Sequence, residues 1–213
     1  MTKKANITRD RSGTERVIVA AAKRVLAEQG FSAFGVNSIA RAAGCDKQLI
    51  YRYFGGLDGL IEVLGREMSD QFGDMLGPID PATCVTYSDF IEHMLLQLLR
   101  ALRQSELLLR IAAWEIADAS PITRKLAQVR GAALAAWVKD QRGPIAPPTD
   151  RDVGAINAAL IAAVQHLALS AHAIGEFGGV RLADEADWSR VETAVSTLVR
   201  ATYSHPDASV QRG

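Results

Sequence analysis

The sequence predicts an all-α protein, with a three-helix helix-turn-helix head at its N-terminal end and a larger helical body behind it. Three observations carry that prediction. Apolar residues recur at helical spacing in one segment after another, and no stretch reads as a convincing strand pair or an internal repeat. Breaks rich in Gly and Pro stand near 55–56, 77–81, 143–148 and 178–179, and what lies between them has helix length. Residues 36–54 hold two short helical patterns separated by a three-residue turn, the spacing of a helix-turn-helix.

Taken in order, residues 1–11 read as a basic arm carrying Lys3, Lys4, Arg9 and Arg11. Ser12 and Glu15 have capping-box spacing, so a first helix is expected from there to Gln29. It turns Val17, Ile18, Ala21, Val25 and Leu26 inward, and Gly30 ends it. Phe31 and Phe34 supply aromatic area for the core of so small a head. Ile39, Ala40 and Ala43 share one face of a short second helix, and Gly44 can take the left-handed conformation that stops it. Asp46 caps the third helix by accepting from its free N–H groups. After the Gly55-Gly56 break, a helix over 57–76 presents Leu57, Leu60, Ile61, Leu64, Met68, Phe72 and Met75 on one broad face and links head to body.

The body begins with a helix over 88–102. The segment 106–118 is apolar nearly all round, as a central buried helix would be. Ser120-Pro121 pairs an N-cap with a first-turn proline and opens a helix to about 141. Thr149 or Asp150 caps the next helix, which runs to about 176, and the last helix covers 184–203. The apolar run at 155–174 is interrupted by Asn157, Gln165, His166, Ser170 and His172, so it reads as a buried helix rather than a membrane span. The tail from Ser204 reads as disordered.

In a helix-turn-helix the second helix enters the major groove with its N-terminal residues nearest the base edges. Here those residues are Lys47 and Gln48, with Tyr51, Arg52 and Tyr53 one turn on. Lys suits a phosphate, Gln can pair with adenine through two hydrogen bonds, and Tyr can bond a phosphate or pack on a thymine methyl. Ile50 and Phe54 form the core face of the same helix.

This stretch resembles the TetR-type transcriptional regulators. Their DNA-binding region ends in a pattern of the form Ala-Gly-Val-Ser-x-x-x-Leu-Tyr-x-Tyr-Phe, followed by a helix start and Leu. Here it stands as Ala43-Gly44-Cys45-Asp46-Lys47-Gln48-Leu49-Ile50-Tyr51-Arg52-Tyr53-Phe54 and then Leu60. The resemblance covers about residues 14–64. It implies that Lys47, Gln48, Tyr51 and Tyr53 contact DNA, and that Asn37 and Ser38 occupy positions that touch a base or phosphate in some members. Two positions depart from the pattern: Leu57 stands where a phosphate-holding Lys is usual, and Gly35 where a Thr usually opens the second helix.

Charge agrees with a nucleic-acid reader. The formal net charge is zero, but residues 1–54 carry ten Lys/Arg against four Asp/Glu and the remainder fourteen against twenty. A head at +6 sits on a body at −6. Two cysteines, Cys45 and Cys84, are far apart and form no CxxC, which fits a reducing compartment. The polar N-terminus lacks the apolar core of a signal peptide, so a soluble cytoplasmic protein is expected. No nucleophile elbow, P-loop or H-E-x-x-H is present, and His166 and His172 are six apart rather than the four that would put two metal ligands on one helical face. No catalytic residue, cofactor or metal site is therefore expected.

The resemblance further implies a body that binds a small-molecule effector and pairs its last two helices with those of a second subunit. His93, Met94, Trp114, Trp137 and His166 combine apolar surface with a few polar tips, the make-up of a ligand pocket. Ala155, Ala158, Ala159, Ala162 and Ala163 are small enough for helices to approach closely. The expected organisation is a DNA-binding domain over 12–55 and a ligand-binding and dimerisation domain over 56–203. The expected function is that of a homodimeric regulator, a repressor released from a palindromic double-stranded operator by a small molecule. The alternative is a helical small-molecule-binding or protein-interaction module without specific DNA binding, which Leu57 and Gly35 favour.

Overall fold

The computed structural model describes residues 3–80 and 82–203, with side chains described from residue 11 onward. The tail from Ser204, and the side chains of Lys3, Lys4 and Arg9, lie outside the described residues. Among the described residues nine α-helices run in chain order: α1 Lys3–Gln29, α2 Val36–Ala43, α3 Lys47–Phe54, α4 Leu57–Leu76, α5 Tyr87–Gln104, α6 Glu106–Ala117, α7 Pro121–Arg142, α8 Val153–Ile174 and α9 Glu185–Tyr203. A two-residue antiparallel pair, β1 (Glu176–Phe177) with β2 (Val180–Arg181), joins α8 to α9. The all-α prediction holds, and this small hairpin is what it lacked. Glu176 pairs with Arg181 and Phe177 with Val180 across the Gly178-Gly179 turn. A strand of two residues is too short for a period-2 signal.

The chain forms two compact units, one from Met1–Gly73 and Arg110–Trp137, the other from Asp74–Leu109 and Val138–Gly213. In the first, Ile18, Ala21, Val25 and Leu26 of α1 are buried as expected, together with Phe31, Phe34, Ile39 and Ile50. Val17 is not: it is 52% exposed, because Val19 and Ala22 share the inward face instead. α1 also starts earlier than its Ser12–Glu15 capping signal, running straight through Gly13. Gly59 explains the close join between α3 and α4. A Cβ there would stand 1.8 Å from the backbone oxygen of Phe54, so only a glycine fits.

The second unit is built around α5, which packs against α8 and α9. Thr86 caps α5 by accepting from Asp89 N–H at 3.1 Å, while Asp89 Oδ2 accepts from Thr86 N–H at 2.9 Å. The buried cluster includes Phe90, Leu95, Leu99, Val164, Trp188, Val195 and Val199. The α8 cap is Asp152, which accepts from Ala155 N–H at 3.0 Å, rather than Thr149 or Asp150. The central helix is α5 and not α6. α6 leaves Ala113 and Ala117 exposed and Ile116 76% exposed, so an apolar composition all round did not mean burial all round.

α8 is the other surprise of burial. Its most apolar window has a mean hydropathy of 1.6, yet only 17% of that window is buried. Ala155, Ala158, Ala159, Ala162 and Ala163 are all exposed, with Ile161 at 39% and Ile174 at 70%. By length and composition it is the one helix among the described residues able to cross a membrane. Its other face is engaged within the unit, through Val164, Ala168 and Ser170 and through Asn157, whose side-chain amide donates to Tyr87 Oη at 2.8 Å.

Candidate nucleic-acid interface

The turn between α2 and α3 is set by two local devices. Gly44 adopts φ 66°, ψ 32°, the left-handed conformation, and closes α2 with its N–H on the carbonyls of Ala40 and Arg41. Asp46 then stands in extended backbone and its Oδ1 accepts from Gln48 N–H at 2.8 Å. Arg24 on α1 donates to Ala42 O at 2.6 Å, satisfying a carbonyl that α2 leaves open at its end. Ile50 is buried and anchors α3, and the opposite face is therefore turned out.

That outer face carries Lys47, Gln48 and Arg52, all exposed, and Tyr51 at 56% exposure. Tyr53 is half-buried with guanidinium groups over its ring, Arg52 at 5.8 Å and Arg11 at 5.5 Å from the centroid. Arg11 is also paired with Glu15 at 2.8 Å, which raises its pKa. Asn37 is exposed at the start of α2. Ser38 has its hydroxyl 2.5 Å from Ala33 O and 2.8 Å from Gly35 O, either of which can take its one proton, and it accepts from Gly35 N–H at 3.1 Å. Gly35 can thus open α2 without a capping side chain of its own. Leu57, in the place of the phosphate-holding Lys, is half-buried in the first turn of α4. Sequence reading missed Arg24 and Gly59, whose roles depend on contacts with backbone atoms distant in the pattern.

Residues 18–64, which span this arrangement, match the family profile described as bacterial regulatory proteins, tetR family. Over 142 residues the chain is 30% identical to uncharacterized HTH-type transcriptional regulators from two strains of Mycobacterium tuberculosis, covering 62% of this chain and 64% of each relative. Residues 18–64 are thus similar to the DNA-binding region of the TetR family. The chain spans about 64% of the length of those curated relatives. The TetR likeness extends to the whole fold. The fatty acid degradation regulator FadR from Bacillus halodurans superposes with a TM-score of 0.58 at 17% identity, covering 91% of this chain and 97% of that one. A putative tetR family regulator from a Shewanella species gives 0.59 at 16%, covering 91% and 99%.

The body residues expected to line a TetR-type effector pocket fall in different units. Trp114 and Trp137 belong to the first, where a Cβ on Gly30 would stand 2.8 Å from the Trp114 ring and one on Gly73 would stand 2.9 Å from Trp137 Nε1. His93, Met94 and His166 belong to the second. His166 packs edge-on against Phe177 at 4.5 Å between ring centroids. Met94 packs against the second unit's core. His93 Nε2 is buried without a hydrogen-bond partner among the described residues, and burial, aided by the Arg100 charge, pushes its pKa down.

Proposed function

We propose that this chain is a TetR-family regulator, homodimeric and ligand-responsive, that represses transcription from a palindromic double-stranded operator and acts in the cytoplasm as a soluble protein. The observation that carries the reading is the row Lys47, Gln48 and Tyr51 on the exposed face of α3. These polar groups sit on a rigid, capped helix. Asn37 and Arg52 extend the row at its edges, and Tyr53 holds Arg52 in place. The DNA-reading part is residues 12–55, and the effector-binding and dimerising part is 56–203.

Dimerisation is supported by the exposed apolar strip of α8 and by Leu198 on α9, 55% exposed. Apolar surface of that extent on two neighbouring helices is what a partner's helices would cover. For the effector, His93 is the contact we favour, because its unpartnered Nε2 gives a buried site one directional bond to offer. An effector acts by its differential affinity for two states, so operator DNA must weaken effector binding by the same factor.

The test is a binding selection from a fragmented genome, followed by anisotropy titration on the recovered sequence. The wild type should bind one palindromic sequence in preference to others. The Lys47→Ala, Gln48→Ala double variant should lose that preference and most of the affinity. Equal binding by both proteins overturns the assignment of α3.

A further inference from the structure

The N-terminal end of α5 opens into a cleft of about 700 Å³ within the second unit, away from every residue assigned above. Its floor is Tyr87, Ser88 and Tyr203, all less than a tenth exposed, and its rim includes Pro147, Pro148 and Asp150. That volume lies in the range of small-molecule sites. We propose that this cleft binds an uncharged ring compound through a carbonyl group.

The directional groups come first. Ser88 is only 7% exposed and its Oγ has no hydrogen-bond partner among the described residues. A buried hydroxyl without a partner is costly, and a bound acceptor would relieve it. Tyr87 Oη accepts from the Asn157 amide at 2.8 Å, and Tyr203 donates its own proton to Asn157 Oδ1 at 2.7 Å. Asn157 therefore fixes both phenols, and the Tyr87 proton is left pointing to no acceptor among the described residues. Ser88 lies in the first turn of α5, where Thr86 already accepts from the Asp89 N–H and the Phe90 N–H, both at 3.1 Å. Ser88 Oγ–H and Tyr87 Oη–H are thus both donors, and a carbonyl oxygen is the group that answers them.

Charge decides between a neutral carbonyl and a carboxylate. The positive end of α5 is already answered by Asp89, whose carboxylate accepts from Thr86 N–H at 2.9 Å and Thr86 Oγ1–H at 2.8 Å. Asp150 adds a second carboxylate at the rim, itself held by Arg151 at 2.6 Å. A ligand anion would meet two negative groups and no unpaired cation among the described lining residues, while a ligand cation would have to displace Arg151. The walls favour a ring: the Tyr87 and Tyr203 rings meet edge to face at 5.1 Å, and Pro147 and Pro148 present flat apolar surface opposite.

The probe is benzamide, with benzoate as its charged counterpart of the same shape. The chain has four tyrosines, so protein labelled with ¹³C in its tyrosine rings gives a spectrum in which Tyr51 and Tyr53 serve as internal references for Tyr87 and Tyr203. Benzamide should shift the Tyr87 and Tyr203 signals saturably and leave the other two alone. Benzoate should bind at least about tenfold more weakly. Ser88→Ala should weaken benzamide by about tenfold, the loss of one hydrogen bond, while keeping or raising the thermal midpoint, since it removes an unpartnered group. Absence of a saturable shift, equal affinity for benzoate, unchanged affinity in Ser88→Ala, or a lowered midpoint in that variant would each overturn the proposal. No DNA enters the experiment, so its failure leaves the reading of α3 intact.

Discussion

Trp114 of α6 lies against Gly30, the residue that ends α1, so closely that a Cβ on Gly30 would stand 2.8 Å from indole Cε2 and 2.9 Å from Cζ2. Arg110, one turn earlier on α6, donates to Ala27 O at 3.0 Å and so holds the same end of α1. Gly30 also has φ 71°. Gly30→Ala therefore carries two faults, a left-handed backbone and a collision with the ring. It should cost more than the ~1–2 kcal/mol of the backbone fault alone. Urea unfolding of Gly30→Ala with and without Trp114→Leu separates the two. The smaller side chain should recover the collision but leave the backbone cost. If the pair of changes is simply additive, the indole is not pressed on Gly30.

The same logic of local anchoring applies to α3. Asp46→Ala removes the acceptor for Gln48 N–H and should cost about 1 kcal/mol of stability. Because Lys47 and Gln48 occupy the first turn that this cap organises, operator affinity should fall although neither side chain changes. Asp46→Asn, which keeps the acceptor, should restore both quantities. A variant that loses affinity equally as Asn and as Ala would show that the charge of Asp46 matters and the cap does not.

Much of this was legible in the sequence because its signals are local. The α2–turn–α3 unit follows from Gly44, Asp46 and the spacing of Ile39, Ala40 and Ile50, all within a dozen residues. The start of α7 at Pro121 and the end of α9 at Tyr203 were likewise marked by neighbours in the chain. The errors share one cause, which is that burial depends on partners far away in sequence. α6 and α8 are both apolar by composition, yet Ile116 and Ile174 face outward. The contact of Trp114 with Gly30 is not signalled by the sequence either. The bonds of the Ser38 hydroxyl to Ala33 and Gly35 are likewise invisible in the sequence. The cleft at Ser88 left no sequence signal, since a serine in the first turn of a helix is ordinary and only its unpartnered burial makes it informative.

Acid should destabilise the second unit through Glu92. Its carboxylate accepts from Arg200 Nε and Nη2, both at 2.8 Å, and this pairing holds its pKa below the usual range despite the opposing effect of partial burial. Asp89 is lowered too, chiefly by the Thr86 backbone N–H. For carboxylates whose folded pKa is depressed, the unfolded chain takes up protons first as pH falls. The stabilisation is thus complete above the unfolded pKa and is lost as pH drops through the folded one, a window that starts near the ordinary carboxylate pKa of about 4 and extends below it. Glu92→Gln should flatten the decline of the urea midpoint over that window and leave the neutral-pH slope unchanged. A decline as steep as in the wild type would mean that the pair is too exposed at Arg200 to matter.

The dimer can be tested at one residue because Leu198 behaves differently in its own chain and in the proposed assembly. Within the chain it is 55% exposed, while its neighbours Val195 and Val199 are buried at 6% and 0%. Leu198→Arg therefore places a charge where the isolated chain can solvate it, and the fold should survive. In a dimer formed through α8 and α9 the same charge would enter an apolar contact without a partner, which costs several kcal/mol. Two copies of the change face each other across a two-fold interface, so the penalty is incurred twice. The expected outcome is a helical, cooperatively unfolding monomer in place of a dimer at micromolar concentration. It should bind half of a palindromic site weakly and the whole site without cooperative gain. Val199→Arg is the contrast: with its side chain fully buried in the chain, it should unfold the protein outright. Light scattering and circular dichroism on the two variants decide the matter. A wild type that is monomeric, or a Leu198→Arg protein that still dimerises, would remove α8 and α9 as the interface.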